Sequence, residues 1–324
     1  MARHIRRTVA LLAIGWALGH GTASAATPAC PPLPQTVLTP AVVQEATQHP
    51  QDRGFLWRIE KDGHASWLYG TLHLGRAPWV VPGPKTSSAL QQSDTLALEL
   101  DVLDSESLQP LMSSGDPQRR VKVMTPERSK RLAALRKAAC VDGPDNGIQK
   151  LSPILQATTL AGLSARADGL YADFGADVIL AVTARKALVP VVALETASRQ
   201  YAALVPATTR EEGEMLDQFM QQLESGEMRS QMLELARLWS DSNLQRLSSY
   251  EQWCDCLNTA LEKAQWKSLL DERNPHLADG IAAQHEKGRR VFAAVGALHM
   301  VGPNGLVNLL GQRGFAVTQV LPAR

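Results

Sequence analysis

The stretch FLWRIEKDGHASWLYGTLHLG, residues 55–75, decides the fold. Phe55, Trp57 and Ile59 alternate with polar or smaller residues, the period-two pattern of a half-buried strand. KDGH, residues 61–64, is turn chemistry, and Trp67 to Thr71 returns as a second strand, so a hairpin is predicted. The returning strand carries Gly70 near its end, with His73 three residues later. A near copy stands at the far end of the chain, in FAAVGALHMVG, residues 292–302, where Gly296 and His299 keep the same spacing. A strand delivers its last residues to one edge of a sheet, and open α/β sheets bind ligands outside the carboxyl ends of their strands. A glycine before each histidine lets the backbone turn tightly or lets another chain approach. The two imidazoles therefore meet if their strands lie near each other in the sheet.

The segments between these ends supply more of the same architecture. PGPKTSSALQQSD reads as a helix over Lys85 to Gln92, and TLALELDV, residues 95–102, as a buried strand carrying Glu99 and Asp101. A basic helix is predicted over Glu127 to Ala138, its charges forming a solvated face. SPILQATTLAGLSARA is another helix. FGADVILAVTARKAL, residues 174–188, is a helix with Val178, Ala181 and Val182 on one side, and it runs into VPVVALET, a strand ending near Glu195. Residues 209–286 hold long helical patterns, with Thr209 as an N-cap, Met215 and Met220 as core filler, and a break near Pro275. A strand, a helix ended by Gly314 and a final strand FAVTQVL close the sequence. This alternation predicts an α/β fold with a central mixed sheet flanked by many helices. No Gly- and Ser-rich linker divides it, so residues 26–324 are expected to form one domain.

The N-terminus has the form of an export signal. MARHIRR is basic, TVALLAIGWAL is a short apolar run, and Ala23, Ser24 and Ala25 occupy a small-residue cleavage site. Loss of residues 1–25 removes three arginines and no acid, so 33 basic and 32 acidic residues become 30 and 32, a net charge near −2. That balance gives neither a nucleic-acid footprint nor a polybasic membrane patch. A periplasmic or secreted protein without a stable membrane anchor is expected. Cys30, Cys140, Cys254 and Cys256 are an even set suited to disulfides, with three connectivities open. The WCDC pair could alternatively be a soft-metal site.

His73, Glu99, Glu195 and His299 would bring two imidazoles and two carboxylates to strand ends. An acid in a buried strand needs an arginine, a metal or a hydrogen-bond network. Two histidines and a carboxylate form a known catalytic zinc shell, and the same donors suit iron or manganese. His73, His299 and Glu99 are the candidate ligands of a divalent transition metal, and Glu195 or Glu99 could move the proton. In DERNPHLADGI, Arg273 and Asn274 precede Pro275 at a helix boundary. Arg273 could clamp a substrate carboxylate, or pair with Glu99 or Glu195; a plain surface salt bridge is the expectation.

YGTLHLG, LALELD, VVALET, DERN and VFAAVGALHMVGPNGLVNLLGQRGFAV, in this order and spacing, resemble the TraB/PrgY/GumN group, which includes the animal TIKI proteases. The resemblance runs from about Phe55 to Val320. It implies a site made of Gly70 and His73, Gly296 and His299, Glu99 and Arg273, with Glu195 and Asn274 at further family positions. It implies metal-dependent proteolysis of peptide or protein substrates, with manganese or cobalt, on a fold similar to erythromycin esterase-like and ChaN-like proteins; the ligand set itself leaves zinc open as well. Ala193 departs from the family, where glycine often precedes the Leu-Glu pair. The competing expectation is a non-catalytic periplasmic protein that binds or sequesters a peptide or haem; a third is an envelope assembly factor without metal.

Overall fold

A computed structural model describes residues 30–143 and 147–322. The expected export signal, residues 1–25, lies outside the described residues. Six strands, β1 (Phe55–Lys61), β2 (His64–Thr71), β3 (Thr95–Leu98), β4 (Val191–Ala193), β5 (Val291–Gly296) and β6 (Ala316–Leu321), form one sheet in the order β4-β3-β5-β2-β1-β6. β4, β3, β5 and β2 run parallel, while β1 is antiparallel to β2 and β6 antiparallel to β1. The sheet is mixed, as the sequence predicts.

The hairpin closes through Asp62 and Gly63, both at positive φ (52° and 78°). Two such residues make the mirror-image turn whose twist matches antiparallel strands, and Asp-Gly is favoured there. His64, expected in the turn, is instead the first residue of β2. Every residue of β5 but Gly296 is buried, as a parallel strand covered on both faces should be.

One core cluster surrounds the sheet, including Phe55, Leu68, Leu96 and Phe292. The helix Ala176–Lys186 buries Leu180, Ala181 and Ala184 rather than the expected Val178, Ala181 and Val182. The two stripes share Ala181; alanines at 181 and 184 let the helix axis come close to its neighbours, and the two valines are left half-buried. A second cluster, built by helices between 117 and 225, contains Leu132, Ile154, Leu160, Met215, Leu216 and Met220. Both methionines are core filler, as expected. The short helix Pro117–Val123, capped by Asp116, is not predicted by the sequence pattern.

Thr208, not Thr209, caps the helix Thr209–Ser225. With Thr208 as cap, Glu211 falls three residues on, and its carboxylate returns to the Thr208 N–H to complete a capping box. The long helical pattern breaks as predicted near Pro275. Helix Ala260–Trp266 passes into a π-turn, Lys267–Asp271, and a new helix, Asn274–Glu286, starts with Pro275 in its first turn, where a missing N–H is tolerated.

The cysteines pair as Cys30–Cys140 and Cys254–Cys256. WCDC is thus a disulfide, and its thiols are not available to a metal. No helix among the described residues is long and apolar enough to cross a membrane.

Candidate functional site

The strand order answers why the two ends of the chain look alike. β2 and β5 are adjacent parallel strands, with Gly70 opposite Val295 and Thr71 opposite Gly296. β3 pairs with β5 on its other side, Leu98 opposite Ala294, and β4 pairs with β3, Ala193 opposite Leu98. Glu195, Glu99, His299 and His73 therefore leave neighbouring strands at one carboxyl edge. The point of closest approach is Gly296. A methyl group built there would lie 3.2 Å from Glu99 Oε1, 3.5 Å from His299 Cδ2 and 3.6 Å from His73 Nε2. The glycine keeps open a cradle that three candidate ligands face.

His299 sits on a 3-10 turn, Ala297–Met300, and is buried. Its Nδ1 lies 2.5 Å from Asn274 Oδ1, and the Asn274 amide is fixed because its Nδ2 donates to the Asn304 carbonyl at 2.8 Å. Nδ1 is therefore the protonated nitrogen, which leaves the Nε2 lone pair free to accept. Arg273 Nη1 stands 3.3 Å from it. Burial pushes the His299 pKa down to about 4, so the ring is neutral at physiological pH.

His73 is hemmed in by protein yet open to a cleft, with 65 % of its side chain accessible. Asp177 Oδ2 is 3.5 Å from its Nδ1, and that carboxylate is the main reason its pKa rises to about 9. The contact depends on Gly175. A Cβ there would come within 2.5 Å of the His73 carbonyl oxygen, so only glycine lets the helix carrying Asp177 begin so close to the loop. Both imidazoles thus have Nδ1 engaged by an oxygen, the arrangement that orients metal-binding histidines.

Arg273 organises the acids. Its Nη2 donates to Glu99 Oε2 and Glu195 Oε1, Nε to Glu195 Oε2 at 3.2 Å, and Nη1 to the Leu269 carbonyl at 2.9 Å. It is 7 % exposed, so the expected surface salt bridge is a buried one. With its donors already engaged, it has no free fork for a substrate carboxylate. The π-turn contributes to this arrangement. Its wider ladder pairs the Glu272 N–H with the Lys267 carbonyl at 2.9 Å, and the Leu269 carbonyl within the turn faces the guanidinium. Burial alone would raise the Glu99 carboxyl, but His299, His73, Arg273 and the Gly296 N–H, 2.7 Å away, hold it at about 2. Glu195, with no exposed side chain, lies behind Arg273.

A cavity of about 240 Å³ opens onto this cluster, with Thr71, His73, Glu99, Asp177 and Gln200 at its polar end. Gln200 donates to Glu99 Oε2 at 3.1 Å and to Glu195 Oε1 at 2.9 Å. Sequence reasoning misses Asp177 and Gln200. Asp177 reads there as an ordinary first-turn acid at a helix N-terminus, and Gln200 carries no signal at all.

Among the described residues, no group of three or more His, Cys, Asp or Glu side chains is arranged to hold a metal ion. The donor types still suit a divalent ion: His73 Nε2 and the ionised Glu99 carboxylate border the cradle at Gly296, and the neutral His299 ring flanks it through Cδ2, with its Nε2 3.3 Å from Arg273 Nη1 and 3.9 Å from Glu99 Oε2.

A parallel sheet edge that gathers two glycine-spaced histidines and an arginine-bound glutamate pair defines the class of protein. Residues 55–319 match the TraB/PrgY/gumN family, and the chain belongs to it. Comparison with curated proteins and with solved structures found no match.

Proposed function

We propose that this protein is an exported, metal-dependent hydrolase that cleaves peptide bonds, with His73, His299 and Glu99 as the metal ligands. The observation that carries the reading is the Gly296 cradle, bordered by both rings and by Glu99. A divalent ion bound there supplies Lewis-acid polarisation of a carbonyl and activation of water. Asn274 holds His299 with its Nε2 unprotonated, Asp177 stands beside His73 Nδ1, and His73 would give up its Nε2 proton if it held an ion. Arg273 and Gln200 fix the Glu99 carboxylate, which suits a ligand better than a proton carrier because its pKa is near 2. Glu195 serves to anchor Arg273, and Asp177 to orient His73. Hydrolysis adds water across the amide: hydroxyl goes to the carbonyl carbon, the C–N bond breaks, and the nitrogen leaves with a proton.

Export is supported by the Cys30–Cys140 disulfide, a bond that persists in oxidising compartments, and by the basic-apolar-small pattern of residues 1–25. Metal analysis of protein purified without chelator tests the reading. One manganese, cobalt or zinc ion per chain is expected, lost in the His73→Ala/His299→Ala double variant, together with chelator-sensitive cleavage of a peptide mixture. Equal metal content in the double variant overturns the ligand assignment; a metal-loaded chain that binds peptides without cutting them is a sequestering protein instead.

A further inference from the structure

The cavity beside His73 and Glu99 also has an apolar wall that the proposed chemistry does not use. Leu100, Val102, Leu108 and Leu111 line it. Val102, Leu108 and Leu111 are only half-buried, and Leu103 and Met112 in the same segment are 36 % and 61 % exposed. That segment has little regular structure beyond a 3-10 turn, Gln109–Met112, so no amphipathic helix accounts for its apolar residues. Leu108 packs into neither main core cluster. Apolar side chains left half in water around a concave site are covered when a ligand brings apolar surface of its own.

The same cavity has polar residues with spare capacity. Thr71 Oγ1 and Asp177 Oδ1 are enclosed and have no hydrogen-bond partner among the described residues. An enclosed polar atom without a partner keeps the full cost of its lost hydration until a ligand pairs it. A hydroxyl that can donate and a carboxylate that can accept complement the C=O and N–H of a peptide backbone. The volume, about 240 Å³, falls short of the roughly 300–1,000 Å³ of pockets for drug-sized ligands. It suits one side chain and its adjoining amides rather than a large cofactor.

We infer that this cavity is a specificity subsite that selects peptides by one apolar side chain, of leucine or phenylalanine size, seated on Leu100, Val102, Leu108 and Leu111 next to His73 and Glu99. The cleavage step after binding rests on the peptide-hydrolase reading, but binding itself can be measured without cleavage. The probes are acetylated, amidated peptides Gly-Gly-X-Gly-Gly with X = Leu, Phe, Gly, Lys or Glu, titrated calorimetrically into chelator-treated full-length protein. X = Leu or Phe should bind at least tenfold more tightly than X = Gly, as an apolar pocket discriminates by about 10- to 200-fold per group. Leu108→Lys should shift the preference toward X = Glu, and Leu108→Trp, which keeps the wall apolar but shortens the cavity, should weaken X = Phe more than X = Leu. Equal or absent binding across the series, or a ranking that neither variant changes, overturns the subsite. Selective binding without cleavage by manganese-, cobalt- or zinc-loaded protein leaves the subsite standing and overturns the hydrolase reading.

Discussion

Arg273 is the guanidinium partner of two carboxylates that have almost no contact with water, so its removal takes the ion-pair partner from both in the interior. Breaking a buried ion pair from one side costs about 3–5 kcal/mol. Arg273→Met should therefore lower the urea midpoint by a corresponding amount, and Glu195→Leu added to it should recover part of the loss. Gly296 makes a gentler test. Its φ of −49° is open to any residue, and a methyl group there is tight only against Glu99 Oε1, at 3.2 Å, so the carboxylate needs only a small shift within its bonds to Arg273, Gln200 and the Gly296 N–H. Gly296→Ala should leave the unfolding midpoint within about 1 kcal/mol of wild type and reduce metal occupancy at least tenfold, measured by elemental analysis. The histidines and Glu99 were legible in the sequence because their frames, G-x-x-H twice and an acid on an apolar strand, are unusual chemistry in ordinary strand ends; Arg273 stood out only as an arginine before a helix boundary, and its burial was not expected. Asp177 and Gln200 were not, because an acid in a first turn and a glutamine on a helix are what solvated surfaces also carry. Only the approach permitted by Gly175 turns Asp177 toward His73.

The helix Asn274–Glu286 joins the site to the hairpin. Asn274 at its start orients His299, and His285 near its end is wedged against β2. His285 Nε2 lies 3.0 Å from the Lys61 carbonyl and Nδ1 2.8 Å from Ser66 Oγ, with the ring stacked 3.7 Å from His64. A carbonyl only accepts, so Nε2 carries the proton and Nδ1 accepts from the serine, whose oxygen accepts in turn from the Val291 N–H. Burial lowers the His285 pKa; the charges of His64 and Lys61 act in the same direction, and the Lys61 carbonyl and Asp62 oppose them. Below the unfolded value of about 6.5, the unfolded chain binds the proton more readily than the folded one, so stability falls as pH drops through that value and is retained above it. The urea midpoint should decline as pH falls below about 6.5, where the buried His299 adds to the effect, and His285→Asn should lessen that decline while leaving the part due to His299. Elements with strong periodicity and punctuation, such as the hairpin with its Asp-Gly turn and the helix ended by Gly314, were legible. The buried face of the helix Ala176–Lys186 was not: one residue is a rotation of about 100°, and alanine packs on either side of the line the valines suggest.

Across the whole molecule, the two disulfides act on very different lengths of chain. Cys30–Cys140 spans 110 residues, whereas Cys254–Cys256 closes a separation of 2. A long closed loop restricts the unfolded chain more, and such bonds contribute about 2–4 kcal/mol. Cys30→Ser/Cys140→Ser should lower the unfolding midpoint substantially, and Cys254→Ser/Cys256→Ser should change it far less; equal losses would contradict the loop-length account. The long pairing was not legible, because cysteines distant in sequence become neighbours only through the packing of everything between them. The short one had a metal site as its rival until the thiols were seen joined. The strand order was hidden for the same reason as the long bond: fold class follows from the alternation of elements, but nothing local says that β5 enters between β3 and β2. That placement has a consequence for how the protein is made. The centre of the sheet is synthesised after almost all of its periphery, so β2 and β3 wait as separated flanks until residues 291–296 arrive. Residues 291–296 must leave the ribosome before the two arms can share a pocket, and they acquire it only when that strand slides between them.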